Sequence, residues 1–261
     1  PDLVVKMPEP FELSADTRDV FRKFVIRIPT EVTRYVRAFE FDPGNRRVVH
    51  HMRLRTDQTS MSRAQDQFDP LPGFDGTMMT GDLEPDGFFL TWAPGYESIP
   101  KRADVAWAIA PGTDLVLELH LKGTGRVETV QSSIALYFKP SPPREKLNIV
   151  MLDNETLDIA PGKKNDVYTD EYVLPVDTTI LSLMPHAHYL ATDMKCYAIR
   201  PDGEKVWLMR IEDWNFDWQR EYTYARPISL PKGTTLYMRI VFDNSADNPR
   251  NPHIPPQRVL I

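Results

Sequence analysis

A chain of 261 residues is too long for one ordinary hydrophobic core, so its length predicts two domains of roughly 130 residues each. Hydrophobic residues make up 41% and charged residues 26%, and no apolar run approaches the roughly 20 residues of a membrane-spanning helix. The composition predicts a soluble, globular protein with no membrane span. The net charge of -6 is mild and both signs are spread along the chain, which argues against a nucleic-acid partner.

Cysteine usage limits the chemistry of the chain. Cys196 is the only cysteine, which excludes an intramolecular disulfide framework and a metal cluster built from several thiolates. Metal binding would therefore have to use histidine, methionine and carboxylate side chains. The sequence opens at Pro1 without a basic, apolar and small-residue series, so we expect a secretion signal, if one exists, to be removed or to lie outside this sequence.

The pattern in the first half is that of short strands. The chain contains 24 Pro and 12 Gly, and these punctuate runs of strand-forming residues such as Phe24–Ile28 and Val116–Leu119. Ser60–Gln67 is the one candidate for a short helix. The long stretch Gln58–Tyr96 predicts an irregular excursion that covers a cleft, selects a substrate or is a plain surface insertion.

Prolines mark the predicted domain boundary. Lys139–Arg144 contains three prolines, which cannot donate to a strand ladder, so we place the domains at 1–143 and 144–261. Asn148–Met151 and Tyr172–Val176 restart the strand pattern, and Asp243–Pro256 is a predicted loop. The predicted fold class is all-β, with two tandem β-sandwich domains.

His50 and His51 form the first candidate group. They follow Val49 and precede Met52, so we expect them in a strand, where adjacent side chains point to opposite faces. Both rings can reach one metal only if the strand bulges or ends there. The alternative is one buried, hydrogen-bonded histidine beside an exposed one.

His120 closes the predicted strand that begins at Asp114, just before the turn that starts at Lys122. A single histidine at a strand end is ordinarily structural, and only other ligands nearby make it a metal ligand. His120 lies in the same predicted domain as His50 and His51, which supplies those ligands.

His186 and His188 form a His-x-His unit after Pro185, and the period of two predicts both rings on one face of a strand. Neutral imidazole binds Cu, Zn, Fe or Ni, so this unit indicates a transition metal without selecting one. The sixth histidine, His253, lies in a polar loop and is left out of the predicted sites.

Three aromatic residues, Trp214, Phe216 and Trp218, alternate with polar residues in the second half. Such a stripe is typical of a strand that buries one face, so we predict a core role and keep substrate stacking as the alternative.

The order of these motifs resembles the copper type II, ascorbate-dependent monooxygenases, the family of peptidylglycine α-hydroxylating monooxygenase and dopamine β-monooxygenase. Bacterial members associated with c-type cytochrome modules contain stretches similar to Pro43–His51, Leu230–Thr234 and Phe242–Pro249. The likeness runs through nearly the whole chain, and the combined order is more specific than any one motif.

The resemblance implies that both sandwiches are jelly rolls that face one another across a cleft, with one copper on each. His50, His51 and His120 would hold an electron-transfer copper, and the catalytic pair His186 and His188 would hold the oxygen-binding copper. A methionine would be its third ligand, in a stretch that follows the region matching Arg258–Leu260. None of the methionines of the second half is assigned to this role: Met184, Met194 and Met238.

The resulting functional hypothesis is a periplasmic or extracellular copper monooxygenase that hydroxylates a C–H bond of a small molecule or peptide with dioxygen. The reductant would be ascorbate or a c-type cytochrome. Two alternatives remain open at this point: a non-catalytic copper-binding or electron-transfer protein, and a binding or structural module with zinc or no metal.

Overall fold

The computed structural model of the chain describes residues 1–76, 90–94, 105–144, 148–154 and 156–260. The chain divides into two compact units, Pro1–Ile149 and Val150–Ile261. The boundary that the prolines predict, after residue 143, lies six residues before this division, in the connection between the last strand of the first unit and the first strand of the second.

The first unit contains eleven strands and one helix among its described residues. The strands are β1 (Leu3–Lys6), β2 (Phe11–Leu13), β3 (Asp19–Arg27), β4 (Arg34–Asp42), β5 (Val49–Asp57), β6 (Phe74–Asp75), β7 (Leu90–Trp92), β8 (Trp107–Ile109), β9 (Asp114–Lys122), β10 (Glu128–Val130) and β11 (Ser133–Lys139). The helix, α1 (Met61–Phe68), lies where a short helix was predicted. From the long stretch Gln58–Tyr96, residues 77–89 and 95–96 lie outside the described part of the chain.

Two antiparallel sheets enclose the core of this unit. One has the strand order β6-β3-β9-β5-β7 and the other β1-β11-β4-β8, with β2 and β10 forming a separate pair. Alternate residues of β9 face the core, where Leu117 and Leu119 are fully buried together with Phe39 and Leu136 of the other sheet. At about 25 cal/mol per Å² of buried apolar area, this core is the main favourable term for the unit. The arrangement is a β-sandwich.

Helix α1 is fixed to one end of the five-stranded sheet by two buried carboxylates. Asp57, 1% exposed, accepts hydrogen bonds from the backbone N–H groups of Thr59 at 2.6 Å and Ser62 at 2.8 Å, which lie at the start of the helix. Burial alone would raise the pKa of Asp57, but a hydrogen bond from the Thr59 hydroxyl, together with these backbone hydrogen bonds, outweighs it and lowers the pKa. Arg63 of the helix forms a two-point ion pair with Asp114, which is also 1% exposed.

The second unit contains eight described strands. They are β12 (Asp158–Ile159), β13 (Asp166–Val173), β14 (Thr178–Leu183), β15 (Ala191–Ile199), β16 (Lys205–Ile211), β17 (Tyr222–Leu230), β18 (Thr235–Phe242) and β19 (Val259–Leu260). They form a four-stranded sheet, β13-β18-β15-β16, and the antiparallel pairs β14-β17 and β12-β19. Met194, Cys196 and Ala198 alternate along β15 and face the core. Burial raises the pKa of the Cys196 thiol to about 11, so this cysteine is a neutral packing group.

The structure confirms the all-β prediction and corrects two local ones. Residues 148–151 form no strand, and Met151 remains 64% exposed because no sheet partner covers it among the described residues. The aromatic segment lies in the connection between β16 and β17. There Trp214 and Phe216 are buried as predicted, but Trp218 is 56% exposed. A turn in which the Trp218 N–H donates to the Asn215 carbonyl breaks the expected alternation.

None of the helices in the described ranges is long and apolar enough to cross a membrane.

Candidate metal centre

A β-bulge at His50 makes the first histidine group possible. On β9, Leu121 and His120 are adjacent, but their partners on β5 are Val49 and His51, so His50 is an extra residue in the ladder. In a regular strand His50 and His51 would point to opposite faces. The bulge instead allows both rings to lie on the face that is opposite to the buried Val49.

Three imidazole nitrogens converge at this bulge. The Nδ1 atom of His50 lies 3.1 Å from Nδ1 of His51 and 3.2 Å from Nδ1 of His120. The third side of the triangle, between His51 and His120, measures 3.4 Å. Among the residues that the structure describes, these three histidines are the only group of three or more His, Cys, Asp or Glu side chains that is arranged to hold a metal ion.

Strand β3 orients the His120 ring. Phe21 is the direct neighbour of His120 across the β3–β9 ladder, and the two rings stack with centroids 4.2 Å apart and an interplanar angle of 10°. Asp19, two residues earlier on β3, accepts a hydrogen bond from His120 Nε2 at 2.6 Å. His120 is 5% exposed, so both contacts act on a buried ring. The ring is therefore held against rotation from two sides.

The hydrogen bond to Asp19 decides which His120 nitrogen would bind a metal. A neutral imidazole has one N–H, and an ionised carboxylate only accepts. The proton of neutral His120 is therefore on Nε2, and its Nδ1 directs a lone pair at His50 and His51. This arrangement, in which a carboxylate holds the distal N–H of a ligating histidine, is the usual outer shell of a histidine metal site.

The size of the triangle fits a bound transition metal. With metal–nitrogen distances of about 2.0–2.1 Å, tetrahedral ligands are roughly 3.3–3.4 Å apart. The observed separations of 3.1–3.4 Å lie within a few tenths of an ångström of this spacing. Three neutral nitrogens suit copper, zinc, nickel or iron, whereas magnesium and calcium prefer oxygen ligands.

The second histidine group lies in a connection and not in a strand. The ladder between β14 and β17 ends at the pair Leu183 and Tyr222, and Pro185, which has no N–H, follows. The prediction of a strand at His186 and His188 is therefore wrong. Buried and exposed residues still alternate here without strand pairing, since Pro185 and Ala187 are buried while both histidines are exposed. Their rings lie on the same side, with centroids 5.2 Å apart.

Aromatic residues flank His188. The Phe216 ring packs edge-on against His188 at 5.9 Å and lies 4.0 Å from the Tyr189 ring. Although His188 retains exposed surface, the surrounding protein atoms desolvate its ring and lower its pKa. Its imidazole is accordingly neutral at pH 7, which is the form that binds metal.

The structure thus brings together His50, His51 and His120 in one cluster, and His186 and His188 as a separate pair. His253 lies exposed in its loop, outside both groups. The sequence analysis missed Asp19, Phe21 and the contact between Phe216 and His188. Only the pairing of β3 with β9 brings Asp19 and Phe21 to His120, and no residue spacing in the sequence indicates that pairing.

Replacing Asp19 tests the orientation of His120. We expect Asp19→Ala to weaken metal binding at the cluster by about 10–100-fold, because the carboxylate that fixes the ring and its tautomer is lost. Asp19→Asn, which keeps an acceptor oxygen, should lose less. Competition with a chromophoric chelator measures the affinity.

Asp16→Asn is the matched control, since this exposed carboxylate bonds Ser14 and touches no histidine. Equal affinities for wild type and Asp19→Ala would contradict the assigned role of Asp19.

No family model and no curated protein matches this chain.

Proposed function

We propose that this protein is a copper-dependent monooxygenase that hydroxylates a C–H bond of a small molecule or peptide with dioxygen and an external reductant. The observation that carries the proposal is the triangle of three Nδ1 atoms, since three imidazole nitrogens at this spacing could hold a metal ion. The choice of copper comes from the order of the histidine motifs, which resembles that of the copper type II monooxygenases. Copper, when bound, would supply one-electron transfer and the activation of dioxygen.

In the first unit His50, His51 and His120 would hold the electron-transfer copper. The bulge places the first two ligands, and Asp19 and Phe21 hold the third. All three nitrogens come from a rigid sheet, so the ligand set is preorganised. A site of this kind suits electron transfer because few groups have to move when the charge of the metal changes.

In the second unit His186 and His188 would hold the oxygen-binding copper and form the catalytic centre. Their exposed rings leave room for dioxygen and substrate on the open side. The buried Ala187 and Leu190 hold this connection to the core.

A specific observation favours a second candidate, a non-catalytic copper-binding or electron-transfer protein. Within the described residues, three nitrogens converge only in the first unit, and His186 and His188 provide two. If copper binds at the first unit alone, the protein would receive and pass on electrons without activating dioxygen.

Copper stoichiometry and oxygen consumption test the proposal. The full chain is loaded with copper, dialysed and analysed for metal, and then supplied with ascorbate or a reduced c-type cytochrome under dioxygen. We expect two copper ions per chain, one lost in a His50→Ala and His51→Ala double variant and the other in a His186→Ala and His188→Ala double variant. His253→Ala is the matched control and should keep both.

Three results separate the candidates. Two copper ions with reductant-dependent oxygen consumption and a hydroxylated product support the monooxygenase. One copper ion, bound by the first unit and without oxygen consumption, supports the electron-transfer protein. Zinc or no metal in place of copper overturns both. Because the proposed activity is that of a copper oxidoreductase, we expect this protein in the periplasm or outside the cell.

A further inference from the structure

A small aromatic pocket lies in the second unit. It has a volume of about 310 Å³ and six lining residues: Ile211, Asp213, Trp214, Asn215, Trp218 and Tyr222. Trp214 is 1% exposed and lies deepest, whereas Trp218 and Tyr222 are 56% and 38% exposed. Two partly exposed aromatic side chains near a buried third make a concave apolar surface of the kind that binds small ligands.

The pocket adjoins the connection that contains His186 and His188. Tyr222 pairs with Leu183, the last strand residue before that connection. On the other side Phe216, which follows the lining residue Asn215, packs its ring against His188. The same β16–β17 connection therefore supplies both a pocket wall and the aromatic neighbour of His188.

The charges at the pocket are paired or stacked. Asp213 forms an ion pair with Arg250 at 2.7 Å, and this hydrogen bond lowers the pKa of Asp213. The Arg220 guanidinium lies 5.3 Å from the centroid of the Trp218 ring. This cation–π contact steadies the exposed indole. The described lining residues include no cation, and their one carboxylate is ion-paired with Arg250.

We propose that this pocket binds a small, uncharged aromatic group of the substrate and holds it beside His186 and His188. The chemistry follows from the lining, since tryptophan and tyrosine rings bind another ring by offset or edge contacts that an aliphatic group makes less well. A cavity of roughly 150 Å³ already accommodates a benzene ring, so the pocket volume of about 310 Å³ is sufficient for one aromatic ring. The role as a substrate pocket rests on the proposed function, whereas the binding of an aromatic ring does not.

The test uses the metal-free full chain and 4-methylphenol as the probe. The five tryptophans give five indole N–H signals in a ¹H–¹⁵N spectrum. We expect saturable shifts of the Trp214 and Trp218 signals, with a dissociation constant on the order of 1 mM, typical of so small a ligand. Trp218→Ala should abolish the shifts, and because this side chain is exposed its removal should leave the fold intact.

Trp207 is the matched control, since it is 44% exposed in the same unit but lies on β16 outside the pocket. Cyclohexanol, of similar size but without an aromatic ring, should bind several-fold more weakly. No shift, an equal shift at Trp207, or equal binding of cyclohexanol would overturn the inference.

A second measurement separates this inference from the proposed function. With Cu(II) at His186 and His188, as established by the loss of its signal in the His186→Ala and His188→Ala variant, the protons of bound 4-methylphenol should relax faster than in the Trp218→Ala variant. Unchanged relaxation with copper in place would overturn the substrate role of the pocket. Absence of copper from these histidines would overturn the proposed function, while the metal-free titration still decides whether the pocket binds an aromatic ring.

Discussion

His120→Phe is expected to eliminate metal binding in the first unit. The substitution keeps a ring of similar volume stacked on Phe21 but removes the nitrogen that closes the Nδ1 triangle. Loss of an outer partner of a ligand costs about 10–100-fold in affinity, so loss of the ligand itself should cost at least about 100-fold. Chelator competition measures this loss directly.

The same variant has a thermal readout. With copper at 100 times the dissociation constant of the His50, His51 and His120 site, the first unit of the wild-type protein should gain about 2.7 kcal/mol of stability, which the first unit of the variant should not gain. Comparing the two metal-free proteins by calorimetry shows whether folding is preserved, and His253→Ala controls for the loss of a histidine outside the cluster. Copper affinity that survives in His120→Phe when His186 and His188 are also replaced by alanine would exclude His120 as a ligand.

Asp114→Ala is expected to cause a large loss of folding stability in the first unit. The carboxylate is 1% exposed and accepts two hydrogen bonds from Arg63, whose side chain is 30% exposed. Breaking a buried pair costs about 3–5 kcal/mol, and the partial exposure of Arg63 places this case near about 3 kcal/mol. For a unit of this size, that corresponds to a decrease in Tm of roughly 6–12 °C in calorimetry.

Asp158→Ala is the matched control for this prediction. It removes the same two-point contact with an arginine, Arg258, but at a site where the side chains are 42% and 63% exposed. Surface pairs contribute about 0–1 kcal/mol, so its Tm should change little. Similar losses in the two variants would mean that burial does not determine the strength of the Arg63–Asp114 pair.

Local sequence patterns predicted the kind of elements in this molecule, but they did not predict which strands pair with one another. Alternating and clustered strand formers predicted the all-β fold, and adjacent histidines in a strand predicted that the strand must bulge or end there if both rings were to meet. The structure contains that bulge at His50. Asp19 and Phe21 could not be predicted, because their role depends on the pairing of β3 with β9 across about 100 residues of chain.

The errors have a common cause in the second unit. The period of two in Pro185–His188 and in Trp214–Trp218 predicted strands, but neither segment pairs in a ladder. Alternation of apolar and polar residues indicates which side chains are buried, and an extended connection can bury alternate residues just as a strand does. Pro185 and the turn that ends at Trp218 were the local signals against a strand.

The extra residue in β5 also has an evolutionary consequence. Removing a single codon at His50 would restore uninterrupted pairing with β9, so the sheet would survive while the two neighbouring ligands were reduced to one. Conversely, inserting one codon into a related strand would be enough to create such a pair. If the proposed metal site is correct, its acquisition and loss are separated by one small genetic event, and scaffolds of nearly identical shape should include some that bind the ion and others that do not.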